Sequence, residues 1–163
     1  MELGGLNPSI REARLEDYPV VCELFSGLDA YHLDLDPTRL RSFEGPARSR
    51  DRYSELLSDL DGFFFVAEHE GALVGFVNGR LGSAPPYPMY IPRKLVHVAN
   101  LYVSPSGRRM GLGRKLMDTA WHWGQGRGAE SIALDVLSAN ESALAFYRGM
   151  GFAETRLRME WRE

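Results

Sequence analysis

Residues 104–113 read Ser-Pro-Ser-Gly-Arg-Arg-Met-Gly-Leu-Gly and join a strand-like run to a helix-like one. Gly111 and Gly113, two apart, let the backbone approach a ligand closely and leave free N–H groups at the positive end of a helix dipole. A turn of that kind binds anions. Arg108 and Arg109 add fixed charge, and Arg114 and Lys115 follow in the first helical turn, where cations oppose the dipole and are better explained as phosphate partners. The same residues also fit a tight strand-to-helix turn beneath a solvated basic surface. Two familiar nucleotide loops do not fit. Leu116 stands where a dinucleotide loop needs its third glycine, and Leu112 where a P-loop counted from Gly107 needs its second.

The elements around this turn follow from periodicity. Ile10 to Arg14 alternates as a short strand, and Asp17 with Pro19 marks a helix start whose helix is expected to end near Gly27. Leu28 to Ser49 predicts a loop with one short helical piece, and Arg50 to Leu60 a helix with Tyr53, Leu56, Leu57 and Leu60 on one stripe. Phe63 to Glu68 and Ala72 to Leu81 form a hairpin around His69, Glu70 and Gly71. The proline-rich stretch Gly82 to Pro92 predicts a flap. Leu95 to Val103 predicts a strand, and Gly111 to Gly126 a helix with Leu112, Leu116, Ala120 and Trp123 on one face. Ser131 to Leu137 predicts a buried central strand, Asn140 to Met150 a helix capped by Asn140, and Phe152 to Trp161 a last alternating strand. The order β α α β β β α β α β describes one mixed α/β domain over residues 1–163.

Composition narrows the class. The chain has 163 residues, 44% apolar, with 19 basic against 22 acidic side chains, a size at which one core is expected. Cys22 stands alone, which excludes a disulfide scaffold and a cysteine-based metal site and fits a reducing cytoplasm; no metal is expected. No apolar run approaches membrane-spanning length, and Met1 to Ile10 lacks the layout of an export signal. A pI near 5.8 argues against nucleic acid as a partner.

Arg108, Gly111 and Gly113 spell Arg-x-x-Gly-x-Gly after the strand Asn100-Leu101-Tyr102-Val103, and Asn140, Ala143, Phe146, Tyr147 and Gly151-Phe152 follow about thirty residues later. On these residues the chain resembles the GCN5-related N-acetyltransferase superfamily, specifically from about Val96 to Phe152. The resemblance implies a mixed, centrally splayed β-sheet flanked by helices, and acetyl-CoA as cofactor. It places the pyrophosphate on the amides of Arg108, Arg109, Met110, Gly111, Leu112 and Gly113, with Arg114 close by. It pairs the pantetheine arm with the backbone of Leu101, Tyr102 and Val103. It sets Asn140 against the pantetheine and Ala143 and Phe146 along the CoA channel. Asn140 is also sufficient as a helix cap, and Phe146 as core.

Acetyl transfer from a thioester to an amine needs an unprotonated nitrogen, a stabilised oxyanion and a proton for the departing thiolate. Tyr147 matches the family's general acid, a phenol of ordinary pKa about 10 facing a thiol of about 8.5. The backbone N–H of Leu101 or Tyr102 matches the oxyanion donor. Many relatives place Glu or Asp just before the Leu-Tyr-Val segment, where this chain has Ala99 and Asn100, neither of them a base. His97, two residues before Ala99 and on its face in a regular strand, is the first substitute. Asp135 is a second candidate and a water chain a third. A packed tyrosine and an ordinary strand histidine are the structural alternatives.

By the same resemblance the acceptor site falls to the first helices, their loop and the third-to-fourth strand connection. Here these supply Tyr31, His32, Asp34, Asp36 and Phe43, with Tyr87 and Tyr90 from the flap. Carboxylates beside aromatics suit a cationic amine; the flap also suits contact with a second copy in a homodimer. The reaction expected is direct transfer to a primary amine of a small molecule or peptide in a ternary complex. A non-catalytic acyl-CoA-binding sensor or partner module, and a plain phosphate binder on the glycine turn, are the alternatives.

Overall fold

The computed structural model describes residues 7–163, and the first six residues of the N-terminal stretch analysed above lie outside it. Five strands stand in sheet order β1-β2-β3-β4-β5, which is also their order along the chain. They are β1 (Ser9–Glu12), β2 (Gly62–His69), β3 (Ala72–Ser83), β4 (Lys94–Val103) and β5 (Ala129–Leu134). The first four pair antiparallel, and β5 alone runs parallel to its neighbour β4. The helices are α1 (Tyr18–Leu35), α2 (Arg50–Ser58), α3 (Leu112–Gln125) and α4 (Glu141–Gly149).

Helices cover both sheet faces, so the run from Phe63 to Ala67 is buried throughout rather than alternately. Phe63, Phe65 and Ala67 join Val96, Val98, Leu112, Leu116, Met117 and Ala120 on the α3 side. Phe64 and Val66 join Val21, Leu24, Phe25, Leu28, Tyr53 and Phe76 on the side of α1 and α2. Glu70 and Gly71, both at positive φ, make the tight β2–β3 turn. Asp17 precedes α1 as expected, yet its side chain does not cap the helix. Buried, it takes both guanidinium nitrogens of Arg11 at 2.8 and 2.9 Å and the N–H of Arg14, and Arg11 holds its carboxyl below the usual carboxylate range.

Three expectations are corrected. Helix α1 does not stop near Gly27 but runs to Leu35, because Leu28 continues the buried stripe of Val21, Leu24 and Phe25 and anchors another turn. Strand β5 begins at Ala129, directly after Gly128 at φ 83°, ends at Leu134 rather than Leu137, and is a largely half-buried edge strand rather than a buried central one, because nothing pairs with its outer side among the described residues. No strand forms over Phe152 to Trp161: the alternation is present, but the tail has no ladder partner among the described residues.

The end of β5 has a cause in β4. Asn78 pairs with Asn100 and Gly79 with Val98, so Ala99 is an extra residue bulged out of the β3–β4 ladder. The β4–β5 ladder closes at Val98–Leu134, just before this bulge. Beyond it, β4 continues to Val103 bonded to β3 on one edge and open on the other. The bulge also switches the strand's phase: Val96 and Val98 face α3 before it, Leu101 and Val103 after it. Gly79 permits this geometry, since a Cβ there would lie 2.1 Å from the backbone oxygen of His97. Gly79→Ala is therefore expected to cost about 1–3 kcal/mol by forcing the β3–β4 ladder apart, read as a lowered urea midpoint at unchanged slope.

Candidate functional site

Gly111 sits at φ 70° as the residue before α3, the left-handed conformation that glycine adopts without strain, and Arg109 is left-handed too at φ 64°. With the chain turned this way, the N–H groups of Arg109, Met110, Gly111, Leu112, Gly113 and Arg114 find no acceptor among the described residues. A concave run of unpaired amides at a helix start favours an anion. Gly113 has another reason to be glycine: its Cβ would meet the Phe146 ring at 3.2 Å, so it lets α4 pack against the start of α3. Arg108 folds back, its Nε donating to the Val103 carbonyl at 3.2 Å, and Arg114 reaches the Gly149 carbonyl at the end of α4 at 3.4 Å. Met110 packs into the α3-side core, and Lys115 stays exposed.

This amide array adjoins the open edge of β4. Leu101, Tyr102 and Val103 carry backbone groups that β5 no longer pairs, so an extended chain bearing amides fits there as an added strand. Helix α4 borders the same gap. Asn140 is buried, and its Oδ1 accepts both the Ala143 N–H at 3.0 Å and the Tyr31 hydroxyl at 3.1 Å. Ala143, Phe146 and Tyr147 are half-buried on α4. Tyr147 lies between Phe146 and Phe152, with ring centroids 5.1 and 5.5 Å away, and burial pushes its phenol up to about 12. No described residue hydrogen-bonds that hydroxyl, so its proton is uncommitted.

On the opposite face of β4, toward α1, stand His97, Asn100 and Tyr102. The bulge corrects the expected regular spacing: Ala99 is exposed at the phase break, and His97 shares its face with Asn100 instead. Asn100 Nδ2 donates to Asn78 Oδ1 at 3.0 Å, and Asn78 is buried. His97 Nε2 lies 3.5 Å from Asp135 Oδ2, the histidine half-exposed and the carboxylate fully so. Two of the candidate bases thus form one pair where β5 ends, a juxtaposition that their separation in sequence did not disclose.

The acceptor candidates divide. Tyr31 and His32 sit on the last turns of α1 beside α4, with burial pulling the His32 imidazole down, and Asp34 is exposed. Asp36 pairs with Arg39. Tyr87 and Tyr90 lie elsewhere, lining a cavity of about 860 Å³ with Lys94, Gly128 and Glu130 at the start of β4 and β5. From Lys94 to Leu101 the strand spans roughly 23 Å, so the flap is not brought to the open edge.

A family model described as the acetyltransferase (GNAT) family matches residues 28–152, most of the chain and every motif just placed. The chain belongs to this family. N-acetyltransferase family 8 member 3 of Mus musculus is 34% identical over 99 residues, covering 61% of this chain and 42% of its own length. An N-alpha-acetyltransferase of Sulfurisphaera tokodaii is 29% identical over 108 residues, covering 64% of this chain and 65% of its own. The chain thus spans less than half of the mouse relative. Among solved structures, a mutant of the BH1408 protein from Bacillus halodurans superposes with a TM-score of 0.89 at 26% identity, covering 95% of this chain and 99% of that one. An aminoglycoside N-acetyltransferase solved in complex with CoA shares the fold, with a TM-score of 0.70 at 18% identity over 100% of this chain and 99% of that one. The mixed, splayed α/β sheet expected of this GNAT chain is the one found. Among its described residues no helix is long and apolar enough to cross a membrane.

In this GNAT chain Tyr147 keeps its proton at any ordinary assay pH, because burial disfavours the phenolate. Its titration followed by phenolate absorbance is expected near pH 12, as a component missing from Tyr147→Phe. The unfolded chain ionises this phenol from about pH 10, the ordinary phenol range, and the folded chain only near 12, so the fold loses stability as pH climbs between the two.

Proposed function

We propose that the chain transfers the acetyl group of acetyl-CoA to a primary amine of a small molecule or peptide, by direct attack in a ternary complex. The observation that carries this reading is the adjacency of two unpaired backbone arrays: the amides from Arg109 to Arg114 and the edge of β4 past Ala99. One suits a pyrophosphate and the other an amide-bearing arm. Acetyl-CoA, when bound, supplies a thioester carbonyl as electrophile and a thiol as leaving group.

The chain's own residues divide the work. Arg109, Met110, Gly111, Leu112 and Gly113 hold the pyrophosphate through their amides, with Arg114 adding its N–H and its charge, while Arg108, whose own N–H is donated to the Pro105 carbonyl at 3.4 Å, is corrected to a neighbour of that array. Leu101, Tyr102 and Val103 take the pantetheine as a strand, against a wall of Asn140, Ala143 and Phe146. The N–H of Leu101 or Tyr102 donates to the carbonyl oxygen as charge develops on it. His97, oriented by Asp135, takes the proton of the attacking amine. As the C–N bond forms and the C–S bond breaks, Tyr147 gives its proton to the sulfur, and solvent returns the phenol and imidazole to their starting states. A desolvated phenol is a weak acid, but the thiolate forms in the same dry pocket and is made more basic by the same cause. Tyr31, His32 and Asp34 flank the acceptor on α1. Tyr87 and Tyr90 touch only an extended acceptor that reaches the far end of β4. A reducing intracellular setting suits the lone Cys22.

One observation favours the second reading, a non-catalytic acyl-CoA module: the side chain of Asn100, where relatives carry a base, is tied to Asn78. The discriminating experiment is calorimetry with acetyl-CoA against adenosine diphosphate, followed by an amine screen. Saturable one-to-one binding tighter than the control, with product formed from an amine, is expected. Absence of binding overturns both readings, and binding without product from any amine leaves the second. Tyr147→Phe is expected to lower kcat by about 10²–10⁴, the range of a general acid, with CoA affinity retained; turnover at the wild-type rate removes Tyr147 from the mechanism. His97→Asn is expected to lower kcat by about 10²–10⁴, the range of a general base, and turnover at the wild-type rate assigns the base elsewhere.

A further inference from the structure

Between β3 and β4 the chain runs uncharged from Leu81 to Pro92, with Arg80 before it and Arg93 and Lys94 after it. At the tip of this flap Tyr87, Met89 and Ile91 are 64%, 83% and 80% exposed, and Tyr90 is 38% exposed. Single exposed apolar residues are ordinary, whereas four gathered at one loop tip mark a contact surface. Pro85, Pro86, Pro88 and Pro92 stiffen the backbone there and limit its freedom to fold back onto the sheet. The same prolines carry no N–H, and most of the remaining donors are spent within the flap. Ala84 donates to the Arg93 carbonyl at 3.0 Å across the neck, Tyr87 to the Pro85 carbonyl at 2.9 Å and Tyr90 to the Tyr87 carbonyl at 3.0 Å. From Ala84 to Pro92 only the N–H groups of Met89 and Ile91 lack an acceptor among the described residues, so moving the tip out of bulk water strands few donors.

Behind the tip the charge is positive. Lys94 Nζ donates to the Arg127 carbonyl at 3.4 Å, which brings the neck of the flap beside the chain that leaves α3. Arg93, Lys94 and Arg127 are exposed and have no ion-pair partner among the described residues, whereas Arg80 is held by Asp59 at 3.3 Å. Arg93 and Lys94 also stand on the cavity between the flap and the start of β5, where Glu130 is the carboxylate. The chain as a whole carries a net charge of −3, so this excess of cations is local. Apolar side chains at a tip, tyrosines beside them and free cations at the neck repeat the layers of a membrane surface, which are hydrocarbon, interface and anionic headgroups. A folded partner needs a matching hollow for such a convex tip, and a lipid surface does not.

We propose that the flap is a docking loop for an anionic membrane surface. Met89 and Ile91 enter the apolar edge of the bilayer, Tyr87 and Tyr90 lie at headgroup level, and Arg93, Lys94 and Arg127 meet the lipid phosphates. The chain then rests on a membrane without spanning it. Lys94 stands roughly 23 Å along β4 from Leu101, so docking at the neck leaves the glycine turn and the open edge of β4 on the water side.

Co-sedimentation of the full chain with vesicles of mixed phosphatidylserine and phosphatidylcholine is expected to show binding that pure phosphatidylcholine does not support and that added salt weakens. Arg93→Gln with Lys94→Gln is expected to weaken it about fivefold for each charge removed. Met89→Ser with Ile91→Ser is expected to abolish it with an unchanged far-ultraviolet spectrum, since both side chains stand in water in the free chain. Arg156→Gln with Arg158→Gln, on the tail, is expected to leave it intact. An environment-sensitive fluorophore on Met89→Cys, in a chain carrying Cys22→Ser, is expected to shift blue on the vesicles. The proposal is overturned by absence of binding to the mixed vesicles, by binding that depends on the tail arginines instead of the flap, or by a fluorophore that stays in water while the chain is bound. A vesicle-free dimer that Met89→Ser with Ile91→Ser dissociates, read by sedimentation equilibrium, also overturns it and gives the flap to a second copy.

Discussion

Everything at the site depends on the parting of β4 from β5 at Ala99. A parallel pair that stayed in register would bury its amides in its own ladder and leave no edge for a ligand. One extra residue breaks the ladder, tilts the strand and reverses which side chains face α3, so Leu101 and Val103 keep packing on the core while their backbone is released on the other edge. The cost is held down by β3, which bonds β4 along its whole length past the bulge, and by a glycine where a Cβ would strike the strand. Stiff scaffold and open edge are thus two sides of the same strand.

The two ends of the gap differ in polarity, and the difference is chemical. At the glycine turn, unpaired amides and arginines favour a charged, hydrated group. At α4, Phe146 and Phe152 enclose a phenol that stays protonated. Asn140 joins these ends, its side-chain oxygen shared between the cap of α4 and the hydroxyl of Tyr31 on α1.

What the sequence disclosed follows from how local each feature is. The glycine turn, the cap at Asn140 and the tight β2–β3 turn are fixed by neighbouring residues, and each is found where its residues predict it. The bulge is written in the phase shift from Val96 and Val98 to Leu101 and Val103, an alternation with one residue too many for the regular strand that spacing alone predicts. The pairing of His97 with Asp135 depends on where β5 ends, which the bulge in another strand decides. Helix α1 overran its expected end because a glycine in mid-helix is tolerated when packing continues past it. The tail failed as a strand for the reverse reason: alternation is a local property, whereas a ladder needs an edge.

Because sheet order and chain order coincide, the fold can be assembled in the direction of synthesis. Each strand emerging from the ribosome after β1 finds its neighbour already made, and the long β2–β3–β4 meander forms through contacts of short loop closure. Two connections demand a distant return, from β1 through α1 and α2 to β2 and from β4 through α3 to β5. Helix α4 and Tyr147 arrive after β5, so the nascent chain has its glycine turn before it has the helix that borders the gap.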